Sequence, residues 1–232
     1  MRLDPKDLAA VEVAIRQVET RTTGEIYCVV TDESGEYGET PLVWAAGVAL
    51  LAPALLLLGG VHVSAPEIFG GWSAAQVSQA AEHAARDALI GAVLLQAALF
   101  VVTLILVALP PVRRALTPRG FKRERVRRRA QEQFAAKNLH LTRERTGVLI
   151  FVSFAERMAE LVADEGIAAR VDPNVWDQAM AALTDGLRRG DPGAGLAAAI
   201  GLCGEVLATH FPPAPGDNPD ELPNSVVVLP RA

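Results

Sequence analysis

Apolar and polar positions alternate along this chain with three different periods, and each period predicts a different kind of element. Leu8, Val11, Ile15 and Val18 recur at helical spacing, which predicts an amphipathic helix. Asp4 stands at its cap, Pro5 at its first position and Asp7 in its first turn. Thr22-Thr23-Gly24 ends it, and Glu25-Ile-Tyr-Cys-Val-Val30 follows as a β-branched strand. Two long uncharged apolar runs come next, over 42–61 and 88–112. Each is long enough to cross a bilayer as a helix, which takes about 20 residues. Beyond them the ordinary globular pattern resumes. A basic helix is expected over 121–139, with Val126, Ala130 and Phe134 on one face. Gly147–Ser153 reads as a buried central strand, Phe154–Arg157 as a tight turn and Met158–Ala163 as a weaker strand pairing back. Asp172-Pro173 caps a helix that turns Val175, Trp176, Met180 and Leu183 inward, and Gly190-Asp191-Pro192 opens a last one.

A lone helix and strand cannot bury their apolar faces, so residues 1–36 need partners from beyond the apolar runs. The expected organisation is one α/β layered domain made of 1–36 and 118–212, interrupted by a two-helix transmembrane hairpin at 42–112 and followed by an extended tail at 213–232. Without the hairpin roughly 160 residues remain, enough for a core.

Charge sharpens the topology. Residues 113–129 hold nine bases against the single acid Glu124, whereas the loop between the runs holds only Arg86. Cytoplasmic flanks of spans carry the excess of Lys and Arg. Both termini are therefore expected in the cytoplasm, with two spans in the membrane. The first 41 residues are acidic and hold no apolar leader stretch, so the first run is expected to be a retained span. Pro53 bends that span, and Trp44 and Trp72 suit interfacial depth. Ser73 to Gln76 is a capping-box pattern from which a helix runs into the second span. Neither span holds an ionisable residue, and Gln96 is the only strongly polar one, which excludes an ion or proton pathway.

Candidate chemistry is sparse. Cys28 and Cys203 stand far apart in apolar contexts and read as buried thiols. The four histidines are scattered, without catalytic or metal-binding spacing. Gly190–Gly195 lacks the Gly-Lys-Ser/Thr that completes a phosphate loop and reads as a turn. Asp164, Glu165 and Asp172 are the candidate metal ligands, since a hard cation such as calcium needs several converging oxygens; their plain reading is a solvated turn and a helix cap. Arg113, Arg114, Lys122 and Arg123 are the candidate contacts for anionic lipid headgroups, worth about 1 kcal/mol per basic residue near the surface. The basic stretch also serves as a topology signal alone. Nucleic acid is the least favoured partner, because the stretch abuts a span and interleaves no aromatic beyond Phe121.

Thr146-Gly-Val-Leu-Ile-Phe-Val-Ser153, the turn Ala155-Glu-Arg157, Ala163-Asp-Glu-Gly-Ile167 and Val171-Asp-Pro-Asn-Val-Trp176 then follow one another in a recognisable order. Leu187-Arg-Arg-Gly190 before Gly195-Leu-Ala-Ala-Ala-Ile200, and His210-Phe-Pro212, continue it. This series resembles the TPM domain, a module of thylakoid lumen proteins and of bacterial membrane proteins. Gly24–Val30 and the helix before it resemble the opening of the same domain. Asn218-Pro-Asp-Glu-Leu-Pro-Asn224 resembles the tail of a membrane-anchored bacterial subgroup. The resemblance implies a compact layered α/β sandwich, placement in a bacterial inner membrane, and a role in upkeep of membrane complexes. In some members it also implies phosphatase activity or calcium binding. Members carry a Gly-Asp-Asn-Gly turn before the central strand, where this chain has Glu144-Arg145-Thr146-Gly147, so the turn's acid and amide ligands are missing.

The function expected from these readings is a membrane-anchored, cytoplasm-facing interaction module that binds a membrane protein partner, without cofactor. The alternative is a weak metal-assisted phosphatase, and Ala46, Gly47 and Ala92 leave room for homo-oligomers through the spans.

Overall fold

The computed structural model describes residues 3–35, 37–59, 74–213 and 221–230. The predicted outer-loop features His62, Trp72 and Ser73, and the first three residues of the Asn218–Asn224 motif, lie outside them. The chain forms two compact units: Met1–Glu36 with Arg119–Ala232, and Tyr37–Pro118.

The first unit is built on a four-stranded sheet in the order β3-β2-β1-β4. Strands β1 (Glu25–Thr31) and β2 (Gly147–Ser153) pair in parallel from Glu25 against Gly147 to Thr31 against Ser153. Strand β3 (Met158–Ala163) runs antiparallel to β2, from Ser153 against Met158 to Val148 against Ala163. Strand β4 (Val227–Leu229) adds to β1 in parallel. The tail predicted as merely extended thus supplies an edge strand. Its approach is held by the buried Glu25, whose carboxylate accepts from the N–H groups of Glu221 (3.4 Å) and Leu222 (3.2 Å).

Both central strands are buried along their whole length, and their period of two divides the core. Ile26, Cys28, Val30, Val148, Ile150 and Val152 face one layer, and Tyr27, Val29, Leu149 and Phe151 the other. The first layer is made by α1 (Pro5–Glu19), α7 (Asp177–Arg189) and α8 (Pro192–His210). The second is α5 (Arg119–Ala136), which lays Val126 and Ala130 on the sheet. Asp4 and Asp7 cap α1 reciprocally, each side chain accepting from the other's N–H at 2.8 and 3.1 Å. Gly190 takes the left-handed conformation (φ 84°) that ends α7, and Asp191 caps α8. One phase expectation fails. Residues Pro173–Trp176 form a 3-10 turn before α7, so Val175 is 40 % exposed and Ala179 is buried instead. A 3-10 turn has three residues rather than 3.6 and rotates the stripe.

The second unit holds α2 (Glu39–Leu58, with Pro53 inside it), α3 (Ala74–Ala108) and the short α4 (Pro110–Leu116). Helices α2 and α3 pack on each other. As predicted from the residues beside Gln76, α3 is one helix running into the second apolar run; its 35 residues span about 52 Å at 1.5 Å each. Thr40 Oγ1 and Thr117 Oγ1 share a hydrogen bond of 3.0 Å, and Trp44 Nε1 donates to the Leu116 carbonyl at 3.3 Å.

Candidate functional site

Two polar regions frame the sheet of the first unit. At the amino end of β2, the Asp164 N–H donates to the Gly147 carbonyl, and its Oδ1 accepts from the Glu165 N–H at 2.7 Å, opening the short helix α6 (Glu165–Ala168). Asp164 is 5 % exposed, and its Oδ2 is buried without a hydrogen-bond partner among the described residues. Glu165 is drawn away to Arg145, 2.6 Å from Oε2 to Nη1. Arg145 itself sits at φ 54°, in the turn where the resemblance leads one to expect acid and amide ligands. Asp172 accepts from the Asn174 N–H at 2.9 Å and caps the 3-10 turn. Each of the three acids thus has a local role. Among the described residues no three His, Cys, Asp or Glu side chains stand together as an ion-holding group.

The other region lies at the carboxyl end of β2, the end of an α/β sheet where ligands commonly bind. A groove of about 650 Å³ opens there between the start of α5, the β2–β3 turn, the start of β3 and α7. Arg119, Arg123, Arg157 and Arg188 line it, with Val126, Met158 and Ala159 as apolar wall. Two glutamates also line it. Glu156 turns to the protein, accepting from the Ser34 N–H at 3.3 Å and from Ser153 Oγ. Glu160 is half-buried, and desolvation raises its carboxyl above the ordinary value of 4.5 against the opposing pull of Arg127 and Arg123. Arg188 pairs with Asp185 at 3.0 Å.

Of the four residues expected to meet lipid, only Arg123 lines this groove; Lys122 lies beside it on α5, and Arg113 and Arg114 belong to α4 in the second unit. Sequence reasoning missed Arg157 and Arg188. Neither has a local signal, because one stands in a turn and the other in the last turn of a helix far along the chain. Cys28 and Cys203 are buried in one layer of the core, where desolvation raises both thiols, Cys203 to about 12.

No curated protein matches this chain. The NMR structure of the BA42 protein from the psychrophilic bacterium Bizionia argentinensis is similar in fold, with a TM-score of 0.56 at 19 % identity over 98 % of this chain and 96 % of that one. The model of the TPM domain family matches residues 113–206. That stretch runs from α4 into α8 and includes β2, β3 and the groove, while α1 and β1 complete its core from the other side of the insertion. Over residues 113–206, then, the chain is similar to the TPM domain family.

Proposed function

We propose that the TPM domain of this chain is held at the cytoplasmic face of a bacterial inner membrane by α2 and α3, and that it binds a membrane protein partner to support assembly or maintenance of a complex. The observation that carries the reading is where apolar surface lies. Among the described residues, three helices are long and apolar enough to cross a membrane. In the apolar windows of α2 and α3, Glu39–Leu56 and Leu89–Ala108, only 17 % and 6 % of the residues are buried, against 50 % in α8. Leu196, Ile200, Cys203 and Leu207 already give α8 a place in the sheet's core. Leu50, Leu51, Leu55, Val93, Leu94 and Ile105 have no such core, and each is more than half exposed. Water is a poor solvent for so much contiguous apolar surface, and a hydrocarbon layer about 30 Å thick matches the Leu89–Ala108 length. The Lys and Arg excess after α3 favours cytoplasmic termini, with Arg113, Arg114, Lys122 and Arg123 against anionic headgroups.

Crosslinking in native membranes followed by identification of co-purifying chains tests the partner. A recurrent near-stoichiometric membrane protein is expected, and a chain recovered alone overturns the reading. For topology, the S64C variant is expected to label from outside the cell and S225C only after permeabilisation.

A weak metal-assisted phosphatase is the second reading, favoured by the one unpartnered buried oxygen of Asp164. Alanine at Asp164, Glu165 and Asp172 together abolishes phosphate release in calcium or magnesium if that reading is right, and leaves it unchanged if not.

A further inference from the structure

We propose that the groove at the carboxyl end of β2 is a binding site for the phosphate of an anionic phospholipid headgroup, held by Arg119, Arg123 and Arg157. The inference rests on the membrane reading and adds to it a built site on the soluble domain.

Two elements separate in sequence deliver the guanidinium groups: α5 and the β2–β3 turn. Arg119 and Arg123 stand four residues apart on one face of α5. No carboxylate is in ion-pair contact with Arg119 or Arg157 among the described residues. Of the acids in the groove, Glu156 is spent on Ser34 and Ser153. Glu160 is half-buried, and the desolvation that raises its carboxyl is opposed by Arg127 and Arg123. Arg188 is held by Asp185 and shapes the wall. Forked guanidinium donors match phosphate oxygens in pairs.

Arg157 carries the strongest sign. Its backbone is left-handed at φ 51°, a conformation that Gly adopts without steric cost and a long side chain does not. An arginine standing at such a position, with its side chain lining a cleft, points to a task for the side chain.

Size and tether distinguish the source of the phosphate. Inorganic phosphate fills a small part of about 650 Å³, a volume in the range of pockets for larger organic ligands. Arg119 follows Ala108, the last residue of the apolar window, by eleven positions (119 minus 108). That length of chain reaches at most about 40 Å, a short tether between the end of that window and α5.

The test uses the full chain in neutral detergent, titrated by thermophoresis with dihexanoyl phosphatidylglycerol, dihexanoyl phosphatidylcholine and inorganic phosphate. Phosphatidylglycerol is expected to bind about tenfold more tightly than phosphatidylcholine, because both carry the phosphodiester anion and choline adds a cation facing the arginines. Arg123→Gln and Arg157→Gly are each expected to remove about that factor, while Arg128→Gln, on α5 but outside the groove, leaves it intact. Arg157→Gly is expected to fold at least as well as the parent, because glycine suits the backbone there. Equal affinity for the two lipids, or unchanged affinity in both groove variants, overturns the proposal. So does inorganic phosphate competing as well as phosphatidylglycerol, which marks a soluble-anion site. Alkaline extraction of the same membranes separates the two readings. A chain that stays in the pellet but shows no groove preference refutes the site alone, and a chain released to the supernatant refutes the anchor.

Discussion

Gly204 of α8 lies directly against Val18 of α1, with so little space between them that a β-carbon at position 204 would overlap Val18 Cγ2 and come within 2.7 Å of Cγ1. The two helices approach this closely because one of them has no side chain at the crossing. Val18 is 2 % exposed and stiff at χ1, so it cannot swing away.

Gly204→Ala is therefore expected to destabilise the first unit by about 1–3 kcal/mol, the usual cost of forcing an extra carbon into a packed core. Gly201 stands one turn earlier with nothing within 4 Å of its would-be β-carbon. Gly201→Ala is expected to stabilise by up to about 1 kcal/mol through helix propensity. Thermal melts of the two variants in detergent should shift in opposite directions, and shifts of the same sign contradict the packing argument.

The α1–β1 segment is the second point at which the fold can be tested. Strand β1 lies between β2 and β4 and pairs with β2 at seven positions. Gly35, near the end of that segment, sits with its would-be β-carbon 3.3 Å from Arg125 Cδ on α5, so the two flanks of the insertion approach each other. A polypeptide joining residues 1–36 to 119–232 is expected to fold and unfold cooperatively. Residues 119–232 alone lack the central strand and are expected to show no cooperative transition in urea. Equal behaviour of the two removes β1 from the core.

Glu160 makes stability depend on pH with a definite sign. Desolvation holds its folded-state carboxyl above the ordinary 4.5, so the unfolded chain gives up the proton first. Its contribution is fully present below about 4.5, falls as pH rises through the folded value and is lost above it. Glu160→Gln is expected to be more stable than the parent at pH 7.5, with the advantage shrinking toward pH 4.5. Melting temperatures of both proteins across that range decide it, since an offset independent of pH leaves the carboxyl without this role.

Local order along the chain was legible to different depths. Asp4-Pro5 and Asp191-Pro192 sit where a cap and a first helical turn belong, and they form them. The limits of β2 and β3 coincide with their predicted runs. Strand β4 was not legible. Val227–Leu229 is three residues long, too short for a period, and its state depends on Glu25 receiving the N–H groups of Glu221 and Leu222 nearly two hundred positions away. Val175 failed for a related reason, because a 3-10 turn shifts the phase of a stripe that is apolar in either geometry.

The candidate sites divide in the same way. Asp164, Glu165 and Asp172 are neighbours along the chain, and the fold gives each its own local partner. Arg157 and Arg188 share no spacing with Arg119 and Arg123 of α5, yet all four line one groove.

What the sequence alone determines here is everything written in short-range periods: the caps, the two buried strands, the apolar helices and the basic stretch that follows them. These follow from dihedral preference and from the free energy of apolar surface in water, which act residue by residue. What only the tertiary structure decided is which distant segments meet: β4 beside β1, Gly204 under Val18, and Arg157 in one groove with Arg119. Such pairings are set by the joint packing of both faces of the sheet, and no window of neighbouring residues contains that information.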